Sequence, residues 1–415
     1  MEYWIDLSLN FLGQIPRFFL NPMLYIILLL LMLLYRREVV LQRRLFNTRV
    51  TSVVGELVSA MGRGILGGLL ITLFLFALGV SFTNKDVLLL EGMTLLLGLI
   101  NIRYFHMGIG AGVLLILSYL ASVIPPLQVE WMSLLQESLV EISSFSMAVL
   151  AGAMFVMEGI WLGKGKREGF FPIMVDGKRG RTVGAYQIRR FSFYPMMVLL
   201  TGSGSGFFPL PGIAGYDDVA KTGLPDEKLH HAQKGYWVIG LVVLGVAWFI
   251  PKAEVLMLVT GLWIFLGNEG IRWSGRWKEK GKGPYYGRVP NGVRVMAIIP
   301  NSPAAQMDIE VGDVIVKVNG VTVSHQNDIY PLLQRQTAFC KMEVLNKEGN
   351  IKYLHRSIYE GEPHGLGVVP APDQFARQYV KEGPLSLFRL FSSRIHYINE
   401  RPVNEDLGQG KDVSM

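Results

Sequence analysis

The chain has 415 residues, half of them hydrophobic and only 18% charged, and it carries a formal net charge of +7. Soluble proteins typically have about 25% charged residues, and the shortage of charged residues here falls almost entirely before Arg272. This distribution indicates a membrane domain followed by a soluble domain. The basic residues lie beside apolar runs, so they fit a cytoplasmic membrane surface better than a nucleic acid. The single cysteine, Cys340, excludes an internal disulfide and any cysteine-based metal site.

The first 271 residues predict helices that enter or cross a bilayer. Residues 1–17 mix apolar side chains with Asp6 and Asn10, a composition typical of an interfacial helix. Residues 18–271 predict a polytopic α-helical transmembrane domain of about seven spans. These predicted spans cover residues 18–35, 64–82, 87–102, 109–124, 142–162, 236–250 and 255–271.

Basic clusters give the predicted orientation of the spans. Arginines follow the first span between Arg36 and Arg49, and eight basic residues follow the fifth span between Lys164 and Arg190. By the positive-inside rule both clusters are cytoplasmic, so the N-terminus lies outside. A basic linker at 272–288 follows the last span, which predicts that the C-terminal domain is also cytoplasmic.

Residues 191–210 are poor material for a lipid-exposed helix, because they contain Pro195, Pro209 and the glycine-rich run Gly202–Gly206. A crossing here would make eight spans and place the C-terminal domain outside. An interfacial or re-entrant segment would leave seven spans and place that domain inside, in agreement with the basic linker. We therefore expect a re-entrant segment.

Small and acidic residues within the spans suggest packing rather than transport. Small residues recur in two spans and predict close helix packing, namely Gly64, Gly67 and Gly68, and Gly108, Gly110 and Gly112. Glu91, Glu158 and Glu269 lie near the ends of spans, which argues against a proton-coupled transporter.

No set of residues predicts catalysis, a cofactor or a metal site. The chain contains no His-Glu-x-x-His pair, and Gly202–Gly206 has glycine where a Gly-x-Ser-x-Gly nucleophile turn needs serine. No Lys-Ser or Lys-Thr follows that run, so it does not predict a phosphate loop either. His230 and His231 lie near Asp226 and Glu227 and could contact a metal, but a solvated loop is the simpler interpretation.

Residues 289–370 predict a small α+β domain. Its signals in order are a strand-like run at 292–299, a helix start at Ser302-Pro303-Ala304-Ala305, a turn at Gly312-Asp313 and a tight hairpin at Asn319-Gly320. This order resembles a bacterial PDZ domain, which implies a partly open antiparallel barrel with a groove helix.

The PDZ resemblance implies that an extended peptide adds a strand to an open sheet edge beside the groove helix. The candidate helix is Asn327–Gln336, with Ile329, Leu332 and Leu333 on one face. The candidate carboxylate-binding loop is Gly365, Leu366, Gly367 and Val368. Two alternatives remain at this point: the loop is a plain turn, or the ligand loop is Tyr286–Val289.

The tail at 371–415 is polar except at 385–398, where apolar residues recur at helical spacing with basic residues between them. This pattern predicts an amphipathic helix, which either packs on the protein or binds the membrane surface. Residues 404–415 have the composition of a disordered segment.

Several spans, a basic linker and one C-terminal PDZ domain together resemble the MinJ family of cell-division topological determinants. Local text agrees at Phe18–Pro22, at Tyr35-Arg36-Arg37 and at His364–Pro370. The resemblance implies a non-enzymatic, multi-pass adaptor at septum and poles, which links a DivIVA-like scaffold to a MinD-like ATPase and so to the MinCD inhibitor of FtsZ-ring assembly. It also implies other divisome partners and is compatible with a homo-oligomer. The alternative is a PDZ-containing regulator or component of membrane proteolysis.

Overall fold

The computed structural model describes residues 13–164, 169–177, 181–201, 206–287, 289–334, 339–357, 366–373, 376, 378–380, 385 and 398–400. Within these residues the chain forms a helical domain with an embedded β-sheet, followed by a PDZ domain. Of the predicted interfacial segment, residues 13–17 are helical and the first twelve residues lie outside the described part.

The helical domain has a helix at each of the seven predicted spans. Its helices are α1 (Pro22–Phe46), α2 (Val53–Ala77), α3 (Asn84–Ile100), α4 (Met107–Val123), α5 (Glu130–Val140), α6 (Ser144–Lys164), α7 (Pro225–Ala247) and α8 (Val255–Glu279). Three of them, α2, α6 and α8, are long and apolar enough to cross a membrane by length and composition. The helix α5 lies between the fourth and fifth predicted spans, where the sequence analysis placed no helix.

Glycines allow the helices of this domain to approach one another closely. A Cβ atom on Gly240 of α7 would lie 2.7 Å from the carbonyl oxygen of Gly152 in α6. A Cβ atom on Gly261 of α8 would lie 2.4 Å from the carbonyl oxygen of Gly112 in α4. These contacts are the close helix packing that the sequence predicted for Gly112.

The segment expected to be interfacial or re-entrant forms part of a long β-hairpin. Its strands are β3 (Thr182–Leu200) and β4 (Gly206–Ala220), paired from Tyr186↔Ala220 to Leu200↔Gly206. The antiparallel pairing returns the chain to the end of the domain at which it entered. Pro209 and Pro211 fit the strand β4 because, among the described strands, it pairs with β3 alone, and a sheet edge tolerates residues without an N–H donor.

The opposite edge of β3 pairs with β2 (Phe170–Asp176) at one end and with β1 (Ser81–Phe82) at the other. Between these two strands the helix α2 covers the edge. A Cβ atom on Gly64 would lie 1.5 Å from the Phe193 carbonyl oxygen, and one on Gly68 would lie 2.3 Å from the Pro195 carbonyl oxygen. Two glycines predicted for helix–helix packing thus seat a helix directly on a strand.

The C-terminal segment returns to this sheet as β11 (Gln378–Val380) and β12 (Ile398–Glu400), and the strand order is β1-β3-β2-β11-β12. The strand β11 pairs in parallel with β2, and β12 pairs with β11. Most of the amphipathic helix predicted at 385–398 lies outside the described residues. Its last residue, Ile398, belongs to β12 and not to a helix, because the strand pairing includes it.

The PDZ domain contains β5 (Val293–Ile298), α9 (Pro303–Gln306), β6 (Val314–Val318), β7 (Val321–Thr322), α10 (Ile329–Gln334), β8 (Phe339–Leu345), β9 (Ile351–Ser357) and β10 (Val368–Pro370). The sheet order is β10-β5-β6-β8-β9, with β7 paired to β6. Asn319 and Gly320 have φ angles of 51° and 81° and join β6 to β7, as the hairpin signal predicted.

The basic linker binds the PDZ domain to the helical domain instead of acting as a free spacer. Gly184 in β3 donates its N–H to the carbonyl of Tyr286 at 2.9 Å, and Tyr286 is fully buried. The Tyr186 hydroxyl donates to the carbonyl of Met296 in β5. Arg294 Nη1 donates to the carbonyl of Tyr285 at 2.9 Å. The PDZ domain is therefore docked on the base of the hairpin.

Candidate peptide-binding groove

The strand β10 forms an edge of the PDZ sheet, beside which a peptide strand could be added. It pairs antiparallel with β5 through Val368↔Ile298 and Val369↔Ala297, and Ile299 donates its N–H to the Gly367 carbonyl at 2.8 Å. Hydrogen-bonded and non-hydrogen-bonded pairs alternate in an antiparallel ladder. The N–H and C=O of Val368 therefore point away from β5, toward the open edge.

The loop before β10 is held against the start of α9. Ala304 donates its N–H to the Leu366 carbonyl at 2.8 Å. Gly367 has a φ of +77°, and a Cβ atom there would lie 2.2 Å from the Ser302 Cβ. Only glycine fits this backbone and this space. Gly365, the first residue of the predicted loop, lies outside the described residues.

The loop has backbone donors available for an anion. Among the residues that the structure describes, the N–H groups of Leu366 and Gly367 donate no hydrogen bond. The Leu366 carbonyl accepts from Ala304 and the Gly367 carbonyl accepts from Ile299, and these bonds orient the peptide units that carry the N–H groups of Gly367 and Val368. Successive N–H groups held in this way can bind a carboxylate, and that role stays a prediction for this loop.

The groove helix is shorter than predicted. It covers Ile329–Gln334 after a 3₁₀ turn at Gln326–Asp328, and residues 335–338 lie outside the described part. Ile329, Leu332 and Leu333 pack in one apolar cluster with Leu366 of the loop. The structure thus brings the predicted helix residues and the predicted loop together. All four side chains are more than nine-tenths buried, so a ligand side chain would enter by displacing them.

The rival loop at Tyr286–Val289 has another position. Tyr286 is buried at the contact with the helical domain, where it pairs with Gly184. Arg288 lies outside the described residues. The described part of this segment therefore serves the docking of the two domains.

The residues considered for chemistry on sequence grounds are dispersed. His230 and His231 lie in α7 and not in a loop, and His231 Nε2 lies 2.8 Å from the Ser274 hydroxyl. Of the run Gly202–Gly206, only Gly206 is described, and it begins β4. In the described ranges no group of three or more His, Cys, Asp or Glu residues is arranged to hold a metal ion.

The cysteine of the PDZ domain is enclosed in its core. Cys340 is 1% exposed, and burial raises the pKa of its thiol to about 11. A thiol in such surroundings is protonated near neutral pH and reacts slowly.

Sequence reasoning did not find the contact between Ser302 and Gly367, because no local signal connects a helix start with a loop about 65 residues later.

Comparison with known proteins agrees with this architecture. Residues 294–344 match the PDZ domain family model. The chain is 24% identical to the cell division topological determinant MinJ of Bacillus subtilis (strain 168), over 91% of this chain and 99% of that protein. It is 21% identical to a probable cell division topological determinant MinJ of Lacticaseibacillus paracasei, over 49% of this chain and 59% of that protein. The resemblance to MinJ-type proteins that the sequence predicted is confirmed.

Proposed function

We propose that this chain is a membrane-anchored PDZ adaptor in division-site selection. In this role it connects a DivIVA-like polar scaffold with a MinD-like ATPase, and so brings the MinCD inhibitor of FtsZ-ring assembly to poles and septa. The observation that carries the proposal is the similarity to the MinJ protein of Bacillus subtilis over 91% of the chain, because it includes both domains and not the PDZ domain alone.

The PDZ groove supplies the proposed contact with a partner. A peptide would pair with the open edge at Val368 and place its terminal carboxylate on the N–H groups of Leu366 and Gly367. The strand ends at Pro370, which has no N–H, so the added ladder is short. Most of the binding free energy would therefore come from the carboxylate loop and from an apolar side chain entering beside Leu332.

The helical domain supplies the proposed anchor, with seven spans, an external N-terminus and a cytoplasmic PDZ domain. Three long apolar helices support membrane association. Basic residues lie in the last turns of α1, α6 and α8, at the helix ends that this orientation places inside. Confinement to a membrane raises the effective concentration of the PDZ domain for partners on the same surface.

A pair of glycine variants tests the groove in cells. Gly367→Ala places a Cβ against Ser302. The control is Gly349→Ala, because Gly349 has a similar left-handed φ of +88° but open space around it, so alanine there adds the backbone strain without the clash. We expect a fluorescent fusion of the wild type to concentrate at septa and poles and to recruit the MinD-like protein. Gly367→Ala should abolish that recruitment, and Gly349→Ala should retain it.

Two results would contradict the proposal. One is an even distribution of the fusion around the membrane together with normal division after deletion of the gene. The other is equal recruitment by the two glycine variants, which would place the partner contact away from the groove. Membrane insertion of both variants, checked by fractionation, excludes a trivial loss of the protein.

A further inference from the structure

A cavity of about 1380 Å³ lies at the base of the helical domain, where α1, α8, the hairpin and β11 meet. Neither the PDZ groove nor the proposed adaptor role uses this cavity. Its charged lining residues are Arg37, Glu38, Arg103, Asp176, Arg181, Arg189, Asp217, Asp218, Lys221, Arg276, Glu279, Lys280 and Lys282. Eight of these are basic and five are acidic, so the cavity carries an excess of positive charge.

Most of the acidic residues are already neutralised by the protein. Glu38 binds Arg37 at 3.0 Å and also binds Arg189, and Arg189 Nε donates to Asp217 at 2.8 Å. Two further acidic residues are held by Lys228, which lies 3.0 Å from Asp218 and 3.3 Å from Glu279. These ion pairs form the floor of the cavity and leave little negative charge to oppose an anionic ligand.

Several basic residues of the lining have no such partner among the residues that the structure describes. Across the described ranges, no carboxylate lies within ion-pair distance of Arg103, Arg181, Lys280 or Lys282. Arg103 Nε is buried and makes no hydrogen bond to any described residue. Buried guanidinium N–H groups normally have an acceptor, so this donor points to a ligand that supplies oxygen atoms.

The mouth of the cavity is continuous with the apolar surface of α8. Val255, Val259 and Leu266 are exposed along one face of that helix. Trp273 and Trp277 continue the same face, are 69% and 65% exposed, and line the cavity. Tryptophan at the end of an apolar span is typical of the membrane–water interface. If α8 spans the membrane as proposed, the cavity opens at the level of the lipid headgroups.

The lining also includes apolar side chains, and two of them, the indoles of Trp273 and Trp277, are largely exposed. Leu41 of α1 and Ile173, Val175 and Val183 of the sheet border the cavity as well, but each is less than a tenth exposed. A ligand that carries both an anionic head and an apolar chain would match this lining. A free inorganic anion would use only the charged part of it.

We propose that this cavity binds the phosphate headgroup of an anionic phospholipid, which enters from the bilayer past Trp273 and Trp277. Arg103, Arg181 and Lys282 contact the phosphate oxygens, and the indoles of Trp273 and Trp277 contact the upper part of an acyl chain. The inference rests on the membrane placement of α8 and is independent of the division role and of the PDZ ligand.

The test uses the full-length protein in a neutral detergent, titrated with phosphatidylglycerol, with phosphatidylcholine, or with inorganic phosphate alone. The thermal unfolding midpoint and the number of lipids retained in native mass spectrometry are measured. The cavity variant is Arg181→Gln with Lys282→Gln. The matched control is Arg43→Gln with Arg44→Gln, which removes the same charge from exposed positions of α1 that do not line the cavity.

We expect phosphatidylglycerol, and not phosphatidylcholine, to stabilise the wild type and the control with similar affinity. The cavity variant should bind phosphatidylglycerol about thirtyfold more weakly, because two charges that contact the phosphate are lost. Equal weakening in both variants would show a diffuse surface effect and overturn the site. Equal stabilisation by inorganic phosphate would overturn the lipid as its ligand. A cavity variant that fails to fold would show a lower midpoint without lipid, and Trp273→Ala with Trp277→Ala then replaces it, with the same expected loss.

Discussion

Replacement of Gly64 by alanine tests the most unexpected feature of the fold, the seating of α2 on the hairpin. The new Cβ would lie 1.5 Å from the Phe193 carbonyl oxygen, whereas ordinary contact begins near 3.4 Å. Helix and strand would therefore have to separate locally by about 2 Å, since backbone on both sides prevents a side-chain adjustment. Gly62 lies in the same helix, and a Cβ atom added there would have no neighbour within 4 Å, so Gly62→Ala is a matched control.

The cost of the separation follows from what it breaks. Thr72 Oγ accepts a hydrogen bond from the Met197 N–H at 2.9 Å, and both residues are buried. An unsatisfied buried donor costs about 1–3 kcal/mol, and overpacking costs a similar amount. Alanine returns about 1 kcal/mol of helix propensity. We therefore expect Gly64→Ala to lose about 2–4 kcal/mol and Gly62→Ala to gain up to about 1 kcal/mol.

The assay is thermal unfolding of the full-length protein in a neutral detergent. The midpoint should fall by roughly 2–5 °C for Gly64→Ala, and it should stay level or rise slightly for Gly62→Ala. If Gly64→Ala unfolds at the temperature of Gly62→Ala or above it, then α2 does not lie against the Phe193 carbonyl. In that case the buried hairpin itself would have to be abandoned.

Three further predictions follow from other contacts. Burial raises the pKa of the Cys340 thiol to about 11 from 9.0, so the thiolate fraction near pH 8 is about a hundredfold lower in the native protein. Maleimide should therefore label the native protein at least a hundredfold more slowly than the urea-unfolded protein. Rapid labelling of the native protein would contradict the burial of Cys340 in the PDZ core. Glu38→Gln removes a carboxylate from the buried guanidinium of Arg189 and should lower the free energy of unfolding by about 3–5 kcal/mol. The control Glu141→Gln, at an exposed ion pair, should lower it by less than about 1 kcal/mol. Equal losses in thermal unfolding would argue against the burial of the ion pair between Glu38 and Arg189. Gly184→Ala places a Cβ 2.8 Å from side-chain atoms of Met296 and Tyr286 and should speed proteolysis between the domains about tenfold. The control Gly283→Ala adds a Cβ in open space and should leave the cleavage rate unchanged. If Gly184→Ala also leaves the rate unchanged, the domains are not docked at Gly184.

The sequence predicted the elements whose signals are local. Long apolar runs predicted the positions of α2, α6 and α8, and turn residues predicted the hairpin at Asn319-Gly320 and the start of α9. The hairpin at 182–220 was not predicted, because both of its faces are buried and its strands therefore show no alternation of polar and apolar residues. Its glycines and prolines argued correctly against a helix but did not show what replaced it.

The parts of the candidate groove were predictable from local sequence signals, but their contact with one another was not. The loop at Leu366-Gly367 and the apolar face of α10 each have a recognisable local pattern. Their meeting in one cluster depends on the pairing of β10 with β5, strands separated by about 70 residues, and the covering of Gly367 by Ser302 depends on that pairing. Contacts of this kind leave no local trace in a single sequence.

The pairing of β11 with β2 has a consequence for how the chain is made. Val175 and Val380 are partners in the sheet although about 200 residues separate them. At a synthesis rate of about 5–20 residues per second, β2 waits roughly 10–40 seconds for its neighbour after leaving the ribosome. During that interval the edge of β2 is open to other strands. A ribosome that stops after the PDZ domain would release a protein with its groove complete and its sheet unfinished, so quality control that recognises open sheet edges would distinguish truncated chains from complete ones.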